Sequence, residues 1–154
     1  MTSGTIPARP EQIDYVSSEL LPRAALLTRL LVRQLGGELS RTEIGLLKTL
    51  GGGSRRITEL AELEGLAQPT VTILIKQLEE KGLVTRTRQS GDGRVVLVDL
   101  TEGGNVALED YRGRLRAVLG GQLAEITDEQ VEALATATAT LAHLVDVLQQ
   151  RPAR

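Results

Sequence analysis

Between Ile57 and Thr101 the sequence runs through two helical segments and then an extended one, and a glycine marks each boundary. The first segment reads as a short helix that Thr58 can cap, with an apolar face of Leu60, Ala61 and Leu63. Gly65 ends it in the left-handed conformation, where a missing Cβ costs nothing. A second helix follows at once, with Pro69 in its first turn, where no backbone N–H is needed, and Gly82 closing it after Lys81. Val71, Leu74, Ile75 and Leu78 recur on one side of it. Gln68, Thr70, Thr72, Ile73, Lys76 and Gln77 fall outside that stripe, so one helix carries both a face for a core and a face left free. Beyond Gly82 the pattern becomes extended. Leu83–Arg88 and Arg94–Leu100 are rich in β-branched residues, and Ser90-Gly91-Asp92-Gly93 between them is a hairpin signal. Arg86, Arg88 and Arg94 thereby gather near the tip of a ribbon.

A short helix, a tight turn, a longer helix and a basic hairpin make a winged helix-turn-helix, whose second helix can lie in the major groove of DNA. The wing also carries a motif. Asp92-Gly93-Arg94 followed by Leu100-Thr101 fits D-x-R-x-x-x-x-x-L-T, and Leu78-Glu79-Glu80-Lys81-Gly82-Leu83-Val84 with Arg86 fits L-E-x-x-G-L-V-x-R. In these residues the chain resembles the MarR family of bacterial transcription regulators, with looser matches from about Pro22 to Leu148. The resemblance implies an obligate homodimer on a palindromic operator, often released by a small ligand.

The chain has 154 residues, enough for a real core. Two tyrosines are its only aromatic residues, so aliphatic side chains must do the packing. The absence of cysteine excludes disulfides and thiolate metal sites. No apolar run approaches the ~18 residues of a membrane span, and the N-terminus lacks the blocks of a signal peptide, so a cytoplasmic, nucleoid-associated protein is expected. The net charge of −2 is unevenly spread. Residues 41–94 hold nine Lys/Arg against seven Asp/Glu, whereas residues 95–154 hold five against nine. The basic excess sits where the two helices and the wing would meet phosphate.

Residues 1–10 read as a disordered start. A helix is expected over Ser18–Leu35 on the stripe Leu20, Ala24, Leu27, Leu31 and Leu35, with Glu11–Ser17 either a separate turn or an extension bent at Pro22. Ser40-Arg41-Thr42-Glu43 is a capping box opening a helix with Ile44, Leu47 and Leu50 on its buried side. Gly51–Arg56 reads as a basic loop, either solvated or touching phosphate. After the wing, Thr101 can cap a helix running through Val106, Leu108, Tyr111, Leu115 and Val118, with Gly103 and Gly104 weakening its start. Thr127-Asp128-Glu129-Gln130 is a second capping box. The helix behind it repeats Val131, Leu134, Thr138, Leu141, Val145 and Leu148 at coiled-coil spacing, a seam that suits a second copy of the chain better than a fold-back onto its own domain.

Carried over from the family, the DNA-facing residues are Gln68, Thr70, Thr72, Ile73, Lys76 and Gln77, joined by Thr58 and by the wing arginines Arg86, Arg88 and Arg94, with Asp92 supporting the wing tip. Ile73 departs from the basic or polar residue common there. It is either an apolar contact to thymine or a packing residue. The resemblance also implies a ligand crevice, for which Arg23, Leu27, Leu47, Leu50 and Tyr111 are candidates. With so few aromatics the effector is aliphatic or absent. The lone His143 lies off the terminal seam, and with no second His and no Cys it completes neither a metal site nor a nucleophile. No catalytic residues, metal or cofactor are expected.

These observations together give a mainly α (α+β) chain. A winged helix-turn-helix domain at 38–101 binds double-stranded DNA, and an all-helical dimerisation region is built from 11–37 and 102–150. The expected function is a repressor acting as a homodimer. The competing reading is a winged-helix protein-interaction module without an operator.

Overall fold

The structure is a computed structural model and describes residues 8–88 and 96–150. In chain order the elements are α1 (Arg9–Leu35), α2 (Arg41–Leu50), β1 (Arg55–Arg56), α3 (Ile57–Glu64), α4 (Gln68–Glu80), β2 (Val84–Arg88), β3 (Val96–Leu100), α5 (Glu102–Leu123) and α6 (Asp128–Gln149). The chain divides into two compact units, residues 1–115 and 116–154. The helical region expected from residue 102 onward thus begins inside the first unit.

The core of the first unit is aliphatic. Leu46, Leu47 and Leu50 of α2 meet Leu60 and Ala61 of α3, Val71, Ile75 and Leu78 of α4, Val84 and Val98 of the sheet, and Leu108 of α5. The expected buried faces of α2 and α4 are those found. Leu63 is the exception in α3, being 63 % exposed. At 100° per residue it falls outside the arc set by Leu60 and Ala61, and Ile57 packs against the core instead.

Two local expectations are corrected. Thr58 does not cap α3: the cap is Arg56, whose backbone N–H donates to Glu59 Oε2 at 2.7 Å, and Thr58 is an exposed residue of the first turn. Arg55 and Arg56 are not loop but the two-residue strand β1, which pairs antiparallel with β3 through Arg55 and Val98. The sheet order is β1-β3-β2, and Ser54 fastens its edge by donating from Oγ to Asp99 Oδ2 at 2.8 Å. A two-residue strand has no period to read.

Helix α1 is continuous from Arg9 through Pro22, so Arg9 and Pro10 are helical rather than disordered. Pro10 sits in the first turn, where its missing N–H is no loss, and the Ala8 N–H donates to Glu11 Oε2 at 3.2 Å. Residues 1–7 lie outside the described residues. Of the predicted stripe only Leu31 is buried, while Ile13, Tyr15, Val16, Leu21 and Leu27 are exposed.

In the second unit, α6 opens with the expected capping box. Thr127 N–H donates to Gln130 Oε1 at 3.0 Å, and Gln130 N–H returns to Thr127 Oγ1 at 3.2 Å. None of the residues of α6 is buried, and Leu134, Val145 and Leu148 are 49 %, 49 % and 56 % exposed. Contrary to expectation, α6 is long and apolar enough to cross a membrane by length and composition, with a mean hydropathy of 1.4. Leu, Val and Ala raise that value, and the helix also carries Glu132, His143 and Asp146.

Two joints hold α4 in place. Glu43, at the start of α2, is buried, and its Oε1 accepts a hydrogen bond from Lys81 Nζ at 2.7 Å, directly after α4, while Oε2 accepts the Ser40 N–H at 2.7 Å. Burial by itself would raise the Glu43 carboxyl. The bonds from Lys81 and Ser40 outweigh it and hold the group below its ordinary 4.5. At the other joint the Thr101 N–H donates to the Leu83 carbonyl at 3.1 Å and its hydroxyl to the Gly82 carbonyl at 2.6 Å, while the same hydroxyl oxygen caps α5 by accepting the Gly104 N–H at 3.0 Å. Gly104 does more than weaken a helix start: a Cβ built there would lie 2.0 Å from the Leu83 carbonyl oxygen.

Gly104→Ala is therefore expected to destabilise the protein by about 3 kcal/mol, the upper range for overpacking. Gly113→Ala in the same helix, where an added Cβ meets nothing within 4 Å, should stabilise by about 0.5–1 kcal/mol. Denaturant midpoints of the two variants check the contrast. A carboxyl with a depressed folded pKa contributes stability above its unfolded value and loses it as the pH falls through the folded one. Wild-type stability should consequently drop below about pH 4.5, and Glu43→Gln should be less stable by about 1–3 kcal/mol at neutral pH with a flatter acid limb.

Candidate nucleic-acid interface

Helices α3 and α4 are joined by Gly65-Leu66-Ala67. Gly65 takes φ 65° and ψ 34°, the Leu66 N–H reaches back to the Ala61 carbonyl at 2.9 Å, and Leu66 packs on the core. This tight turn sets α4 across α3 with Val71, Ile75 and Leu78 inward. Gln68, Thr70, Thr72, Ile73, Lys76 and Gln77 are all exposed, so the structure brings the six predicted residues to the free side of one helix. Thr72 donates its hydroxyl proton to the Gln68 carbonyl at 2.9 Å. Lys76 Nζ lies a loose 3.9 Å from Glu80 Oε1, with both side chains well exposed. Its charge is available to an anion.

Arg86 on β2 has a partner that the sequence did not suggest. Its guanidinium grips Glu79 of α4, with Nε donating to Oε2 at 2.9 Å, which lowers the Glu79 carboxyl and raises the Arg86 guanidinium from their ordinary values. The pair ties the base of the ribbon to the end of α4. Arg88 is exposed at the end of β2, and Thr58 is exposed on α3. Asp92 and Arg94, with the hairpin turn, lie outside the described residues.

The first unit also holds a cavity of about 1060 Å³. Arg29 and Arg33 of α1, Arg41 and Lys48 of α2, and Arg114 of α5 give it five cationic side chains against the carboxylate of Glu64. Lys48 Nζ stands 4.8 Å from the ring centroid of Tyr111, and Glu64 Oε1 accepts the Thr49 hydroxyl at 2.5 Å. Of the five residues predicted for a crevice, Tyr111 lines this cavity. Leu47 and Leu50 are core residues, Arg23 pairs with Glu19 on the surface of α1 at 2.8 Å, and Leu27 is exposed beyond the lining. The arginines were missed because they lie on segments far apart in the chain, and periodicity marks buried apolar faces rather than the polar walls of a cavity. Among the described residues no group of three or more His, Asp or Glu side chains is placed to hold a metal.

Residues 39–96 match the model of the MarR family. The HTH-type transcriptional repressor MdtR of Bacillus subtilis (strain 168) is 31 % identical over 94 residues, which are 61 % of this chain and 61 % of that protein. The match thus spans about 61 % of the length of this curated relative. Among solved structures, the transcriptional regulator Tm0710 of Thermotoga maritima aligns with a TM-score of 0.69 at 22 % identity, over 92 % of this chain and 99 % of that one. A MarR family protein from Bacillus stearothermophilus aligns with a TM-score of 0.68 at 22 % identity, over 91 % and 99 %. The fold is shared along nearly the whole chain, and its winged helix-turn-helix coincides with the residues, 39–96, that match the model of the MarR family.

Proposed function

We propose that the protein is a sequence-specific double-stranded DNA-binding transcription regulator, a repressor that acts as a homodimer on a palindromic operator in the bacterial cytoplasm. The outward face of α4 carries the reading. Two glutamines, two threonines and a lysine stand exposed together on a helix of major-groove dimensions, the residue types that pair with adenine edges, thymine methyls and phosphate. Arg86 and Arg88 extend this set along the ribbon towards flanking phosphates, and Arg94, which lies outside the described residues, is of the residue type that suits the narrow, negative minor groove. Thr58 adds a backbone contact from α3. Repression is favoured by the curated relative, which is itself named a repressor.

The dimer reading rests on surfaces that a lone chain leaves wet. Val131, Leu134, Leu141, Val145 and Leu148 are exposed along one helix, with Thr138 in the same register, and α1 presents Ile13, Val16 and Leu21. An isologous pair would bury these and set two copies of α4 about one DNA turn apart. A small-molecule effector fits the cavity of the first unit, whose cationic walls suit an organic anion.

The second reading, a protein-interaction module, is separated by salt. A groove-bound dimer should lose affinity steeply between low and moderate salt, and Lys76→Ala should flatten that slope by about one per half-site while weakening all duplexes alike. Arg94→Ala should weaken operator binding severely and leave the dimer intact, as read by gel-shift titration beside sedimentation. Salt-independent binding would favour the interaction module. Leu141→Glu with Val145→Glu should yield a monomer at micromolar concentration that no longer selects an inverted repeat.

A further inference from the structure

Ile73 is the unusual residue on the outward face of α4. It is 59 % exposed, although the helix has an aliphatic core face beside it. At 100° per residue it stands roughly 15° from the pole opposite Val71, Ile75 and Leu78, the part of a groove-bound helix that goes deepest. The packing alternative left open by the sequence finds no support within the described residues, because the side chain lies outside the core cluster and its partly buried neighbours. Its exposed neighbours on the helix surface are the polar Thr70, Thr72, Lys76 and Gln77, with Pro69 one turn earlier. With the Thr72 hydroxyl proton already given to the Gln68 carbonyl, the hydrogen-bond donors left on this face are the Gln68 and Gln77 amides, the Thr70 hydroxyl and the Lys76 ammonium. Ile73 has no donor or acceptor.

Of the features that base pairs display in the major groove, the apolar one is the C5-methyl of thymine. We infer that Ile73 is a specificity-determining residue that reads one thymine methyl in each half-site and disfavours cytosine at that position, where the methyl is missing. The inference rests on α4 entering the major groove and adds to that reading the identity of a base. Its cost falls on the wrong sequence: a polar base edge brought against four hydrocarbon groups loses its water and gains no bond.

The test uses the full-length protein and the duplex it selects from random DNA. Each thymine is replaced in turn by uracil, which removes the methyl and leaves every Watson–Crick and groove hydrogen-bonding atom in place. One position in each half-site should prove sensitive, with affinity falling about fourfold for one replacement and about fifteenfold for both, the worth of one buried carbon per site. Ile73→Ala should bind the thymine duplex correspondingly more weakly and be indifferent to the replacement, whereas Ile73→Val should keep most of the preference. Melting temperatures of both variants should match the wild type, as the side chain is exposed. A wild-type protein indifferent to every uracil, or an Ile73→Ala variant that retains the wild-type sensitivity, would overturn the inference while leaving DNA binding intact. A selection that enriches no sequence would overturn the DNA-binding reading, and this inference with it.

Discussion

Val71, Ile75 and Leu78 have no measurable solvent exposure, and their burial against Leu46, Leu47, Leu50 and Leu60 fixes the rotation of α4 about its own axis. Turning the helix by one residue would carry Ile75 towards water and drive a glutamine or a lysine into hydrocarbon, at about 2 kcal/mol or more for each side chain misplaced. The free face is consequently as well determined as the buried one. Without Phe or Trp in the chain, this precision comes from branched aliphatic side chains with few rotamers, packed between two helices and a sheet.

Rotation is set by the core, but the position of the helix along its axis needs directional bonds, and these cluster at one end. Residues 79–83 receive Arg86 from the ribbon, give Lys81 to Glu43 of α2, and offer two backbone carbonyls to Thr101 ahead of α5. Three other elements are thereby referred to the same few residues. The N-terminal end of α4 is held more simply, by the Gly65 turn and the packing of Leu66. Such an arrangement suits the proposed reading, in which the first turns of α4 enter a groove while its last turns answer to the rest of the unit.

Much of this was readable because the signals are local. The capping boxes at Ser40 and Thr127, the left-handed glycines 65 and 82, and the apolar stripe of α4 are each decided within about four residues, the reach over which helical sequence patterns operate. The errors fall where the deciding partner is distant. Arg56 took the cap position from Thr58 because β1 is recruited by β3, some forty residues later. Leu47 and Leu50, which periodicity put on a buried side and the resemblance also offered to a crevice, are core because α3 and α4 close over them. The Glu43–Lys81 pair, the Arg86–Glu79 pair and the five cations around the cavity share the same cause, since charge pairing across a fold leaves no period in the chain.

The joint between Thr101 and residues 82–83 is encoded unequally on its two sides. Both acceptors are main-chain carbonyls, present whatever side chain stands at position 83, whereas the donor hydroxyl and the space for the approach depend on Thr101 and Gly104 themselves. Sequence drift can therefore re-line the entrance to the wing without loosening it, but drift at two positions across the gap cannot be compensated from the other bank. A tether of this kind lets the surface that meets a ligand vary freely while its anchorage stays under the control of residues that never touch it.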